Sequence, residues 1–348
     1  MKKSEAEHKY TSTGIKFWRH PEQMIAYREC RPNTVISTHI SPEGSCNLKC
    51  SYCSVTKRDT HSRIPIETIQ SYIDRLISAG LKAVIITGGG EPTLYPQINE
   101  LIQWIKYQRG LSVALITNGV DTEHLEQPSV VALSWVRISV NTFNGWQRRI
   151  NFPVEYLHKD AVVGMSYICV DSMNKLRKDF EDISALADRL GAEYVRLLPD
   201  CMLEQEELLV EHDKLDGLVK ELSDKRFFHQ HKVHGTPKMK ICHQSYFRPY
   251  LSEERNVFDG EPGTVYPCDS LVLNDQHQRF EKKYQLCRPQ DILNYLRHEM
   301  PHEPDFTPGA DCSGCVFCDN LKLLDDWVIK GVEYFDKYTE PLKHEEFV

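Results

Sequence analysis

The stretch Ser41-Pro42-Glu43-Gly44-Ser45-Cys46-Asn47-Leu48-Lys49-Cys50-Ser51-Tyr52-Cys53-Ser54-Val55 decides how the rest of this chain is read. Cys46, Cys50 and Cys53 form C-x3-C-x2-C, with the aromatic Tyr52 just before the third cysteine. Three thiolates on one short loop can hold three irons of a four-iron cluster. The fourth iron is then left without a protein ligand and open to a small molecule. A structural zinc site is the plain alternative. Such sites usually join a C-x2-C pair to a distant second pair, whereas this loop brings only three ligands.

Working outward, the loop follows the first of six short β-branched runs. These are Thr34–Ile40, Ala83–Thr87, Val113–Thr117, Trp135–Asn141, Gly164–Val170 and Glu193–Leu198. Helix-length amphipathic segments separate several of them: Pro65–Ala79, Tyr95–Gln108 and Lys175–Leu190. In the first, Ile66, Ile69, Tyr72, Ile73 and Leu76 recur at helical spacing and mark one apolar face. Pro65 suits its first turn. Repeated strand–helix units imply a parallel sheet with right-handed crossovers. The fold class expected is α/β, a partial (β/α)6 barrel of TIM type. In such barrels chemistry sits on loops at the C-terminal ends of the strands. The cysteine loop, Gly88-Gly89-Gly90-Glu91-Pro92, Thr117-Asn118-Gly119 and Arg137-Ile138-Ser139-Val140-Asn141 all fall there.

Three segments are expected: an irregular N-terminal extension (1–33), the barrel (34–225) and a cysteine-rich module (226–348). Past Pro199 the pattern gives a charged helix at Glu204–Ser223, then a basic, His-rich stretch without period at Lys225–Lys240. His229, His231 and His234 read as part of a solvated loop. Two late helices are expected around Asp291–His298 and Asn320–Tyr338.

Together these motifs resemble the radical S-adenosylmethionine (SAM) superfamily over about residues 34–200. The resemblance implies a [4Fe–4S] cluster on Cys46, Cys50 and Cys53, beside Tyr52, with SAM chelating the open iron. Reductive cleavage of SAM would give a 5′-deoxyadenosyl radical that removes a hydrogen atom from an unactivated carbon. By the same resemblance, Gly88, Gly89, Gly90 and Glu91 bind the amino group of the SAM methionine. Asn118 lies in a second family-like segment. Ser139 and Asn141 lie near the ribose and carboxylate, the strand around Tyr167–Val170 contacts adenine through its backbone, and Arg196 reaches inward. A flavodoxin- or ferredoxin-type electron donor is implied. The bland alternative for these strand-end residues is ordinary turn and strand capping.

The later cysteines are Cys242, Cys268, Cys287, Cys312, Cys315 and Cys318. Gly263 to Cys268 forms a G-x4-C element similar to the hairpin of SPASM and twitch auxiliary-cluster modules. Cys312, Cys315 and Cys318 supply C-x2-C-x2-C, so one auxiliary [4Fe–4S] cluster is implied, with Cys242 or Cys287 completing it. The full SPASM pattern carries seven cysteines, and six at this spacing favour the shorter version. A zinc site using four of the six is the alternative. Cys201, just past the sixth strand, is a candidate hydrogen-atom donor, or else a buried inert thiol. Cys30 and Cys169 read as structural. Arg148 and Arg149 suit either an anionic substrate or a charged helix surface.

Composition bounds the rest. With 348 residues, 41% hydrophobic and 26% charged, the chain reads as a globular protein of one large domain plus a smaller one. No apolar run approaches the roughly 20 residues of a membrane span, and Met1–Gly14 lacks a signal-peptide core. Twelve cysteines in that context argue for metal ligation in the cytoplasm rather than disulfides. A net charge of −8 offers no general attraction to nucleic acid or membrane, though a local basic patch stays open. The first 33 residues are too few for a winged-helix leader-binding domain. A small-molecule or nucleotide-linked substrate is therefore favoured over a peptide. A non-catalytic iron–sulfur or zinc protein is the remaining class, and Gly88–Pro92 argues against it, since a metal scaffold needs no amino-acid-binding turn.

Overall fold

A computed structural model describes residues 3–140, 145–170, 173–200, 202–232, 235–272, 282–300, 306–312 and 315–348. The β-branched runs assemble into one nine-stranded sheet. Its strands are β1 (Ser37–Ile40), β2 (Ala83–Ile86), β3 (Ser112–Thr117), β4 (Leu133–Ser139), β5 (Val162–Cys169), β6 (Tyr194–Pro199), β7 (Phe227–His229), β8 (Tyr250–Arg255) and β9 (Pro262–Tyr266). The spatial order is β7-β6-β5-β4-β3-β2-β1-β8-β9. Strands β1 to β7 run parallel in chain order, β8 lies parallel beside β1, and β9 folds back antiparallel on β8.

Helices Ile66–Ser78, Ile98–Gln103, Gln127–Ala132, Met173–Leu190 and Gln205–Glu221 form crossovers on the outside. Helix Ile66–Ser78 shows why. Pro65 starts it, Gly80 (φ +102°) follows its end, and Ile66, Ile69, Tyr72, Ile73 and Leu76 are buried against the sheet. Each such side chain contributes about 1.5–3 kcal/mol on burial. Alternation along the strands sets the two faces. Ile40, Val84, Ile86, Val136, Val195 and Leu197 pack in the large core with the helices, while His39, Ile85, Arg137 and Arg196 face the barrel interior. The architecture is the partial α/β barrel that the sequence pattern leads one to expect.

Three readings change. The stretch Lys225–Lys240, expected to be irregular, supplies β7, which pairs with β6 through Val195↔Phe227, Arg196↔Phe228 and Leu197↔His229. A three-residue strand is too short to show a period, and the sheet runs through the expected boundary at 225. The N-terminal stretch is helical at Glu5–Tyr10 and Pro21–Arg28, with a tight turn of helix at Gly14–Arg19 between. Ser4 and Glu7 form a reciprocal cap at its start. The last helix is Cys318–Lys330, halted by Gly331 in the left-handed region (φ +66°) rather than continuing to Tyr338.

Phe17, Trp18, Met24, Phe247, Leu324 and Trp327 make a second core that joins the N-terminal segment to this last helix. Residues 344–348 then enter the barrel from the end where the strands begin, and Phe347 packs on Ala83, Ile85 and Ala114.

Candidate active site

The loop bearing Cys46, Cys50 and Cys53 lies at the C-terminal end of β1, with all three cysteines half-buried. Side chains from neighbouring strand ends hold it. Asn118 Nδ2 donates to Asn47 Oδ1 (2.8 Å), and Asn47 Nδ2 donates to the Val120 carbonyl (3.0 Å). Arg58, which sequence reasoning passed over, donates Nε to the Gly44 carbonyl (2.7 Å) and Nη1 to the Val55 carbonyl (2.8 Å). The same Nη1 lies 3.5 Å from Cys53 Sγ, and the Leu48 amide lies 3.5 Å from Cys46 Sγ. Burial pushes the Cys46 and Cys50 thiols above their ordinary pKa.

The donor set fits a cluster better than a single metal ion. Among the described residues, no three cysteines bring their sulfurs within 4.8 Å of one another. A zinc ion with Zn–S bonds near 2.3 Å holds tetrahedral sulfurs roughly 3.8 Å apart. A four-iron cube binds each cysteine through a different iron and so needs them wider apart.

Gly88, Gly89 and Gly90 all have ordinary negative φ, so backbone freedom is not their reason. Close approach is. A Cβ on Gly90 would lie 2.1 Å from the Ser45 carbonyl oxygen, and one on Gly89 would meet Glu253 Oε1 at 2.4 Å. The Gly90 amide donates to the Glu43 carbonyl (3.1 Å) and the Glu91 amide to the Ser45 carbonyl (2.7 Å), locking the turn onto the cysteine loop. Glu91 is buried. Its carboxylate accepts from the Thr93 amide (3.1 Å), Thr93 Oγ1 (2.9 Å), Thr117 Oγ1 (2.6 Å) and the Asn118 amide (2.8 Å). Burial raises its pKa, against the pull of these donors.

Of the other sequence candidates, Tyr52 lies within the cysteine loop and Ser139 ends β4, paired with Ser166. Asn141 and Cys201 fall outside the described residues. Arg196 does reach inward, donating Nη1 to Gln230 Oε1 (2.8 Å) and Nη2 to Ser166 Oγ (2.9 Å). Arg148 and Arg149 are exposed, and Arg149 pairs with Asp121 at 3.0 Å.

The cations that gather lie elsewhere. A cavity of about 200 Å³ inside the barrel is lined by Lys16, Arg137, Arg196, Lys232 and Arg248, with His39 and Asp269. Asp269 is the only carboxylate among the described lining residues, and Arg248 Nη2 engages it at 2.5 Å. Burial opposes its ionisation, yet Arg248, His39 and Lys232 hold its carboxyl well below the usual range. Burial, then the neighbouring Arg137, disfavour charge on Arg196. Burial brings Lys16 down to about 8 and, with Arg248 beside it, His39 down to about 3. The ring nitrogens of His39 and Nε of Arg137 are buried without a hydrogen-bond partner among the described residues. Apart from Arg196, sequence reasoning missed this set because the cations come one at a time from separate segments of the chain.

Five of the later cysteines share one region. Cys242, Cys268, Cys312 and Cys315 interact electrostatically, and Cys315 also feels Cys318. Cys268 and Cys318 each precede or follow a cavity residue, Asp269 and Phe317. Cys287 stands apart: it is fully buried in the large core, beside Tyr72, and its charged neighbours are Asp291 and Arg288. Cys169 is likewise buried.

A parallel barrel with a three-cysteine loop and a glycine-rich turn at its strand ends defines an iron–sulfur enzyme of barrel type. The Radical SAM superfamily model matches residues 40–162. A protein named probable GTP 3',8-cyclase from Methanococcus maripaludis is 32% identical over 298 residues, covering 84% of this chain and 83% of the relative. The chain belongs to the radical SAM superfamily. The GTP 3',8-cyclase of Peptoclostridium acidaminophilum is 32% identical over 111 residues, and that match spans about a third (34%) of its length. Among solved structures, Streptococcus suis SuiB bound to precursor peptide SuiA superposes with a TM-score of 0.54 at 14% identity. It covers 93% of this chain and 78% of that one, a likeness of fold. The family uses a [4Fe–4S] cluster and SAM, and the cysteine-rich C-terminal segment is consistent with an auxiliary cluster module. Among the described residues, no helix is long and apolar enough to cross a membrane.

Proposed function

We propose that this radical SAM enzyme acts on a phosphorylated small molecule of the nucleotide class, held by its anionic end in the barrel cavity. The observation that carries this reading is six lysines and arginines, Lys9 among them, around one space whose only described carboxylate is already engaged by Arg248. Desolvated cations without a carboxylate partner are costly, and a polyphosphate relieves that cost at Arg137 and Arg196. Guanidinium groups also match phosphate oxygens in pairs. The enclosed space is smaller than pockets that swallow a drug-sized ligand whole, which suits one end of a molecule. Relatives named GTP 3',8-cyclase support the same substrate class.

In this reading Cys46, Cys50 and Cys53 hold the SAM-binding cluster. Gly88, Gly89 and Gly90 shape the methionine site, and Glu91 fixes its floor by holding Thr117 and Asn118. Ser139 and Asn141 serve the ribose side. When bound, the cluster and SAM supply a strong hydrogen-atom acceptor. The chain's own residues orient the substrate, exclude water and hold its charge. Four of Cys242, Cys268, Cys312, Cys315 and Cys318 ligate the auxiliary cluster.

The test uses anaerobically reconstituted enzyme with SAM, a reductant and GTP or ATP, followed by mass spectrometry for 5′-deoxyadenosine and altered nucleotide. Arg137→Ala and Arg196→Ala should each weaken triphosphate binding roughly ten- to a hundredfold, the effect of losing charged hydrogen bonds. Nucleotides that neither bind nor change, with a peptide stimulating SAM cleavage instead, would overturn the reading.

A further inference from the structure

Outside the barrel, against helix Gln205–Glu221, three histidines and two carboxylates form a continuous chain of contacts. The alternation of β7 and the residues after it turns His229 and His231 outward, while Gln230 and Lys232 line the cavity. His212 and Asp216 stand four apart on one face of the helix. His229 Nδ1 lies 2.7 Å from Asp216 Oδ1, and His231 Nε2 lies 3.0 and 3.1 Å from the two Asp216 oxygens. These three side chains bring one ligand atom each within 4.8 Å of one another. Behind them, His231 Nδ1 meets Glu7 Oε2 (2.9 Å), His229 Nε2 meets His212 Nδ1 (2.6 Å), and His212 Nε2 meets the Lys232 carbonyl (3.1 Å).

The five contacts need more hydrogens than three neutral imidazoles bring. A carbonyl and a carboxylate accept but do not donate, so each of these five contacts needs one hydrogen. Three neutral imidazoles bring three. The two missing positive charges fall to the neighbourhood of Asp216, where both His contacts converge. Without a cation, two extra protons must sit on these rings or carboxyls, with the centroids of the buried His229 and half-buried His231 only 4.2 Å apart. A single divalent cation supplies both charges, leaves every imidazole neutral and balances Glu7 and Asp216. The outer contacts already have the pattern that orients metal-bound histidines. His231 donates to the buried carboxylate of Glu7, and His229 donates through His212 to a carbonyl.

We propose that Asp216, His229 and His231 form a divalent metal site of the zinc class that fastens helix Glu5–Tyr10 to the barrel edge. Two imidazoles and one carboxylate suit zinc, whereas calcium and magnesium take oxygen ligands. Asp216 is about a third exposed (34%), so water reaches the fourth position. The role is structural. Glu7, the acceptor for His231, lies on the N-terminal helix, whose Tyr10 stacks on Tyr194 (centroids 4.3 Å). Lys9, Tyr10 and Thr11 in turn line the cavity.

The full-length chain, stripped with chelator and dialysed against zinc, should retain about one zinc per chain at this site. Zinc-edge X-ray absorption should show nitrogen and oxygen neighbours at about 2.0–2.1 Å and no sulfur shell near 2.3 Å. Asp216→Asn, which keeps the side-chain shape, should lose that zinc while its iron content stays unchanged. Glu7→Gln should weaken zinc binding roughly 10- to 100-fold. Zinc should also slow proteolysis within residues 3–13 of wild type only. Wild-type protein that binds no zinc, or whose zinc has sulfur neighbours, would overturn the site. That spectrum decides the matter even where a variant fails to fold.

Discussion

Glu253 is a carboxylic acid in a place that disfavours its charge. It is 2% exposed on β8, accepts from Ser252 Oγ at 3.1 Å and lies against Gly89. Burial pushes its pKa from 4.5 up to about 7. The folded chain therefore keeps a proton there that the unfolded chain releases. The stabilising contribution is full below about pH 4.5 and is lost as pH rises through about 7, a change of about 3 kcal/mol. Urea unfolding of wild type should show this loss between pH 4.5 and 8 relative to Glu253→Gln. Parallel curves for the two would refute it. Nothing in the sequence marks Glu253, because its proton is held by what packs on it. Cys46, Cys50 and Cys53 were legible because their chemistry lies in their spacing. Cys287 shares a residue type with its neighbours in the sequence and was grouped with them, yet folding buries it beside Tyr72.

At the scale of the element, the turn Gly88–Gly90 is built to touch the cysteine loop. A methyl group on Gly90 meets three backbone atoms: the Ser45 oxygen at 2.1 Å, the Gly44 carbonyl carbon at 2.6 Å and the Glu43 oxygen at 2.7 Å. Backbone cannot rotate aside as a side chain can. Gly90→Ala should thus keep the barrel's far-ultraviolet circular dichroism yet drop its iron to the level of a Cys46/Cys50/Cys53→Ala variant. Full iron with full SAM cleavage would show the loop tolerates the shift. Helices announced themselves at this scale. Pro65–Ala79 reads from its apolar period and folds as Ile66–Ser78, since one face meets one sheet. Strand β7 gave no such signal, for its existence depends on β6 being there to pair with it.

For the molecule as a whole, both ends of the described chain meet at the start of the barrel. Trp327 is fully buried, edge-on to Trp18 (5.4 Å), with the Arg28 guanidinium 3.8 Å over its ring. Lys16 Nζ donates to the carbonyls of His344 (3.3 Å) and Phe347 (3.1 Å), tying the floor of the cavity to the N-terminal segment. Trp327→Ala should cost about 3–5 kcal/mol, as large aromatic truncations do. It should also speed limited proteolysis within residues 331–348 and weaken nucleotide binding, since Phe347 lines the cavity. Wild-type proteolysis rates in that variant would show that the floor holds without Trp327.

The sequence alone determined the cysteine loop, the glycine-rich turn and the succession of parallel strands β1 to β6, because each is set by residues near one another in the chain. Spacing along a loop and periodicity along a helix survive without tertiary contacts. Only the tertiary structure decided where the charges gather. Lys16, Arg137, Arg196, Lys232 and Arg248 come from five separate segments, and barrel closure aims them into one cavity. Likewise Glu7, His212, Asp216, His229 and His231 are spread over 225 positions, and the outward turn of the chain after β7 brings them together. Electrostatics acts through space, and a sequence gives distance only along the chain.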